Sequence, residues 1–190
     1  MNPEEPPQSS SQDQICLKGT LILAAPSLRE SDFARSVLLL SDHNAKDGAH
    51  GYILNRPLEK PLRELLPSPD FSEIHEVPVY VGGPVSPDQL TFASFDWSPT
   101  NKLSYHTHLS ADEAIAHHSR GLQLRAFVGY AGWSGGQLES ELQQHAWITS
   151  KPVRRATDLP DAGAMWSDIL ESMGPYYSLL ARTPDDPSLN

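Results

Sequence analysis

The chain has 190 residues, of which 38% are hydrophobic and 20% charged, and its formal charge is -10. That length suits one domain with a real core. The acidic balance opposes phosphate-backbone binding, because the 14 basic residues are scattered and Arg154–Arg155 is the only adjacent pair. Five of the acids, Glu4, Glu5, Asp13, Asp185 and Asp186, fall in the two tails. No apolar run approaches the roughly 20 residues needed to cross a bilayer, and no leader-like pattern opens the chain. Cys16 is the lone cysteine, so no internal disulfide forms. The expectation is a cytoplasmic protein with no membrane attachment.

In chain order, residues 1–16 form an arm, and its first 13 are too polar to offset the entropy of ordering. The domain spans residues 17–182, and residues 183–190 form a C-terminal tail. Residues 17–25 read as a strand stopped by Pro26, and residues 36–40 as a more buried one. Turn chemistry at 47–51 leads to a short strand at 52–54. Leu58, Leu62, Leu65 and Leu66 have helical spacing, so residues 57–66 are predicted as a helix ending at Pro67. Strands follow at 77–81, before Gly82-Gly83-Pro84, and at 90–95 and 103–109. Ser110 and Glu113 match a capping box opening a helix that runs to about Arg120, with Gly121 as its stop. A strand at 122–130, a short helix at 137–144 and a strand at 147–149 come next. A last helix at 161–173 carries Trp166, Ile169, Leu170 and Met173 on one face. Strands arrive in consecutive pairs with helices between some of them, which favours α+β with a mixed sheet over a repeated βαβ pattern.

The densest segment is Gly129-Tyr130-Ala131-Gly132-Trp133-Ser134-Gly135-Gly136-Gln137-Leu138-Glu139. It holds a literal G-x-S-x-G between a strand and a helix, the context of a hydrolase nucleophile elbow. In that fold an acid and then a histidine follow the serine. Here only Glu139, Glu141 and His145 follow closely, all on the next helix or at its end, so the usual order does not assemble a triad. A base such as His43 or His106 is the remaining route. The preferred reading is structural: Ser134 as N-cap and Gln137 reaching back to it. A third reading places a carboxylate or phosphate at the glycine-flanked helix N-terminus. No Lys follows, so the segment is no P-loop.

Gly82-Gly83 reads first as a tight turn or bulge. Asn55-Arg56-Pro57 ends a strand, and Arg56 has the fork geometry to hold a carboxylate. Gln137 and Glu141 are four apart and share a helix face. The candidate ligand-binding residues are therefore Asn55, Arg56, Gly82, Gly83, Trp133, Ser134, Gln137 and Glu141. His106 and His108 are two apart in a strand and so share a face, but two ligands do not make a zinc site. No metal and no cofactor is expected.

Several ordered blocks resemble the YqgE/AlgH family, a domain of unknown function. They include Phe33, Ser36-Val37, Asp42-His43-Asn44, Gly48-Ala49, Asn55-Arg56-Pro57 and Gly82-Gly83-Pro84-Val85. The strongest is Gly129–Trp133 with Gly136-Gln137-Leu138-Glu139, Glu141-Leu142 and Trp147, closed by Trp166 and Gly174. The resemblance implies an α+β fold with a curved or bifurcated sheet, partly barrel-like, surrounded by helices. It also carries the label of transcriptional regulator. No helix-turn-helix with a basic recognition face is visible, so regulation is expected to be indirect. The expected function is a regulatory or binding protein with a protein or small-molecule partner. The alternatives are a small-molecule-binding protein or enzyme with its site near Gly132–Gln137, and, last, direct DNA binding.

Overall fold

Leu21–Ala24 (β1) and the first half of Val37–Asn44 (β2) are buried on both faces. A strand covered on both sides needs an unbroken apolar run, and both have one. Leu21 and Leu23 enter one core cluster while Ile22 and Ala24 enter another; Val37 and Leu39 separate from Leu38 and Leu40 in the same way. The period-2 pleat thus feeds two cores from one sheet. The computed structural model describes residues 16–28, 31–157 and 161–183. Residues 1–15 of the expected arm and residues 184–190 of the expected tail lie outside the described residues.

Seven more strands follow: Gly48–Ile53 (β3), Pro57–Pro61 (β4), Pro78–Val81 (β5), Val85–Trp97 (β6), Leu103–Leu109 (β7), Gln123–Trp133 (β8) and Trp147–Ser150 (β9). The α-helices are Leu62–Leu65 (α1), Ala111–Ser119 (α2), Gln137–Gln143 (α3), Met165–Ser172 (α4) and Pro175–Ala181 (α5). The sheet runs β4-β5-β8-β3-β2-β1-β9, and β6 joins β8 and carries β7 outside it. β5 and β8 are parallel, while the other pairs are antiparallel. The fold is therefore α+β with a mixed, curved sheet, as expected.

The sheet forks on β8. Residues 126–128 of β8 pair with β5, and residues 131–133 pair with β3. β6 lies along the opposite edge, since Ala126 and Val128 face both Val79 and Val81 on one side and Phe92 and Leu90 on the other. Gly129 stands at the fork with φ 68°, a left-handed conformation that favours glycine. Gly82 is the joint between β5 and β3: it donates to the Val128 carbonyl and accepts from Ile53 N–H, both at 2.8 Å.

Helices close the three cores. Trp166, Ile169 and Leu170 of α4 lie against β1 and β2 in the first core. Each such side chain contributes about 1.5–3 kcal/mol on burial. Leu138 of α3 fills the second core, and Leu62 of α1 and Ala114 of α2 fill the third. The Ser110–Glu113 capping box is formed as predicted. The hydrogen bonds from Ser110 hold the Glu113 carboxylate below its usual range.

Two elements differ from the sequence reading. Residues 57–66 are a strand followed by one helical turn, not a helix. Pro61 in mid-helix would remove a ladder bond and clash with the preceding turn, so the helix starts only after it. Pro57, at the strand's first residue, sits where strands accept proline. The helix read at 161–173 starts only at Met165 and stops before Gly174 (φ 119°), and a further helix that the sequence reading lacked, α5, begins with Pro175 at its first position. Among the described residues no helix is long and apolar enough to cross a membrane.

Candidate functional site

The Gly132–Gln137 segment is built differently from the predicted cap. The N-cap of α3 is Gly136, with φ 76° and no side-chain cap. Ser134 N–H and its hydroxyl both donate to Gln137 Oε1 at 3.1 Å. Gln137 thus reaches back as expected, but from the first helical position, two positions too early for a capping box. The reason lies in the paired glycines. Gly135 comes against the Lys46 carbonyl, where a Cβ would meet its oxygen at 2.0 Å, and Gly136 donates to the Ala45 carbonyl. The close approach of Gly135 and the hydrogen bond of Gly136 tie the turn to the β2–β3 hairpin before the helix begins. Neither expected base is free for Ser134: His43 accepts from Leu17 N–H and pairs with Glu139, and His106 packs edge-on to His117.

Glu141 is the centre of this region. Its carboxylate accepts from Trp133 Nε1 (2.9 Å), Trp147 Nε1 (2.7 Å) and Gln137 Nε2 (2.9 Å). Both indoles are buried and pack against each other and against Phe33. Phe33 sits in a loop held by two other candidates. Asn55 accepts from Val37 N–H and donates to the Arg35 carbonyl, both at 2.9 Å, while Arg56 donates to the Ala34 carbonyl at 3.2 Å. Partial burial lowers the Arg56 guanidinium below its usual value, and Asp32 opposes that shift. Asn55, Arg56, Trp133, Gln137 and Glu141 therefore direct these hydrogen bonds to the scaffold.

Gly82 and Gly83 are buried against β8. A Cβ on Gly82 would lie 2.3 Å from the Gly129 carbonyl oxygen, and one on Gly83 would lie 2.3 Å from the Tyr130 carbonyl. They permit close approach of two backbones.

Sequence reasoning missed the cavity beside this joint. It holds about 420 Å³ and is lined by His50, Tyr52, Gln89, Leu90, Thr91, His108, Gly129 and Tyr130. Three ladders break around it. Ser41 is an extra residue in β2, because pairing shifts between Leu40 and Asp42. His108 is an extra residue in β7 with φ 57°. β6 loses register with β8 between Val85 and Leu90, opposite Gly129. Such bulges redirect side chains and recur beside functional sites.

The redirected groups meet one another. Ser41 Oγ lies 2.9 Å from His50 Nδ1, and Tyr52 Oη lies 3.4 Å from His108 Nδ1. The His50 ring stacks on Tyr130 at 4.3 Å and sits 4.9 Å from the His108 ring. Burial pushes His50 down to about 4, helped by His108 and weakly opposed by Asp42. Burial likewise pushes the Tyr52 phenol up to about 12, with Thr91 opposing and Tyr130 assisting. Both groups are neutral near pH 7. The expectation that His106 and His108 share a face fails, because the bulge beside them sends His106 to His117 and His108 to the cavity. Among the described residues no three His, Cys, Asp or Glu side chains cluster as a metal site would require.

A larger groove, about 650 Å³, lies between α5 and β9 and includes Pro26, Leu142, Trp147, Tyr177 and Leu180. Among the described residues no hydrogen bond joins the polar side chains that line it. Arg125 is fully buried beneath the sheet, donating to the Leu54 and Thr157 carbonyls and lying 4.6 Å from the Tyr80 ring centre. It pins the strands from within and does not reach the cavity lining.

Fold and site define an α+β protein with one forked sheet and a small polar cavity at the fork. The chain belongs to the AlgH-like family, whose profile matches residues 21–178. A UPF0301 protein of Chlorobium luteolum is 34% identical over 181 residues, covering 90% of this chain and 94% of that one. A UPF0301 protein of Chlorobaculum tepidum is 31% identical, covering 95% and 100%. The solution structure of the AlgH protein from Pseudomonas aeruginosa matches with TM-score 0.63 and 28% identity, over 94% of this chain and 98% of that one. A crystal structure of a Corynebacterium diphtheriae protein shares the fold, with TM-score 0.68 and 21% identity over 96% and 95%.

Proposed function

We propose that this is a small-molecule-binding protein, that its ligand occupies the His50–His108 cavity, and that any regulatory effect passes through that ligand or a protein partner. One observation carries the reading: three separate strand irregularities converge on a single cavity and turn polar and aromatic side chains into it. A cavity of this size with a few convergent polar groups suits a small ligand. The candidates around the Gly132–Gln137 turn are the supports of that wall, since their hydrogen bonds go to one another and to backbone. Binding rather than serine chemistry is favoured because Ser134 donates to Gln137 and meets no base among the described residues.

Nucleic acid is a poor partner for this surface. The one basic pair is spent internally, with Arg155 paired to Asp168 and Arg154 donating to Asn101 and the Ser98 carbonyl. Native mass spectrometry of the purified protein tests the proposal. A small-molecule adduct is expected on the wild type and should be lost from Leu90→Trp, which fills the cavity. An adduct retained in Leu90→Trp would move the site elsewhere. Sequence-selective duplex binding in an anisotropy titration at physiological salt would overturn the indirect route.

A further inference from the structure

We infer that the His50–His108 cavity selects an uncharged ligand that carries an amide-type N–H beside a carbonyl, the donor going to His50 Nε2. The inference rests on the small-molecule reading above and adds its chemical class. Two features of the wall carry it.

The first is charge. Among the described residues lining the cavity there is no Asp, Glu, Lys or Arg. An ionic ligand would lose hydration on entry and meet no fixed counter-charge, which makes its transfer costly. Histidines are the only groups able to supply a positive charge, and the depressed ionisation of His50 keeps that ring neutral near pH 7. A carboxylate would first have to recruit a proton, and an ammonium would meet only dipoles.

The second is hydrogen-bond polarity. Ser41 Oγ donates to the His50 carbonyl at 3.1 Å and also lies 2.9 Å from His50 Nδ1. A hydroxyl has one proton. With that proton on the carbonyl, Nδ1 carries the ring proton and donates to Ser41 Oγ. His50 Nε2 is then the bare acceptor. It has no protein partner among the described residues, and it is not among the sealed-off atoms left without one. The ring lines the cavity, so this lone pair is open to a ligand donor. Tyr52 and Thr91 are engaged with His108 and with each other, so the Gln89 amide in the lining supplies the donor for an adjacent carbonyl. An amide edge satisfies both polarities at once.

Four ring compounds of nearly equal size separate the possibilities: benzamide, N,N-dimethylbenzamide, benzoate and benzylamine. Each is titrated into the full chain at pH 7 while backbone amide shifts of Gly129, Tyr130 and Thr91 are followed. Benzamide should shift these amides saturably, and N,N-dimethylbenzamide, which lacks the donor, should bind at least tenfold more weakly. His50→Phe, which keeps the ring stack and deletes the acceptor, should weaken benzamide by a similar factor while shifts remote from the cavity stay native. If that variant does not fold, Leu90→Trp serves instead and should abolish the shifts. Equal binding of both amides overturns the donor assignment. Benzoate or benzylamine binding as tightly as benzamide at the same amides overturns the ligand class and leaves the small-molecule reading standing. Silence from benzamide overturns the class; silence from all four, with no adduct by native mass spectrometry, removes the small-molecule reading as well.

Discussion

Glu141 receives hydrogen bonds from two buried indoles at once, Trp133 Nε1 at 2.9 Å and Trp147 Nε1 at 2.7 Å. One carboxylate on α3 therefore fixes the last residue of β8 and the first of β9. Glu141→Ala leaves two N–H groups without acceptors, each costing about 1–3 kcal/mol, so a total loss of about 2–6 kcal/mol is expected. Glu141→Gln keeps one carbonyl acceptor and should lose about half as much. Denaturant unfolding followed by tryptophan fluorescence reads both. A loss under about 1 kcal/mol for alanine would mean that water replaces the carboxylate.

The two serines that precede helices should behave differently. Ser110 caps α2 reciprocally with Glu113, so Ser110→Ala should cost about 0.5–2 kcal/mol. Ser134 is exposed and only donates to Gln137, so Ser134→Ala should cost less than about 0.5 kcal/mol. Equal losses in chemical denaturation would restore a capping role to Ser134.

Gly82 and Gly83 leave no room for a methyl group. Either alanine substitution places Cβ 2.3 Å from backbone atoms of Gly129 or Tyr130, which must move. A loss of about 3 kcal/mol or more, or failure to fold, is expected. Thermal unfolding decides it, with Gly121→Ala as a partial control, since a Cβ there meets nothing within 4 Å but carries the strain of φ 80°.

Acid should weaken the fold through His50. The unfolded ring titrates near its ordinary value of 6.5, and the folded ring near 4. Between those values the unfolded chain binds the extra proton, so stability is full above about pH 6.5 and falls toward pH 4. For a half-buried ring screened by solvent the loss is about 1–2 kcal/mol. Urea midpoints measured from pH 7 to pH 4 should fall less in His50→Phe than in wild type. Parallel slopes would assign the acid sensitivity to other groups.

Much of the sheet was readable from residues alone, because β1, β2 and β8 are apolar runs and Ser110–Glu113 is a local signal that needs no tertiary partner. The 57–66 segment misled because Leu62, Leu65 and Leu66 keep helical spacing while the two prolines govern the backbone. The turn at Ser134 was half legible: Gln137 does reach back, but the contacts of Gly135 with Lys46 and Gly136 with Ala45 come from a hairpin far away in sequence. The cavity left no local trace. His50 reads as part of a turn while Tyr52 and Tyr130 sit in ordinary strand patterns, and only the bulges at Ser41 and His108 bring them together. A nonlocal register shift has no signature in a single strand.

The fork on β8 also bears on how the chain acquires its structure. β3, β5 and β6 all precede β8 in sequence, and each depends on it for one of its pairings. Neither branch of the sheet can close until its part of β8 has been synthesised, so β3, β5 and β6 must each wait with one unpaired edge. Such nonlocal pairing slows folding and couples both branches into one cooperative transition. Amide hydrogens of β1 and of β5, on opposite branches, should accordingly exchange through the same global opening.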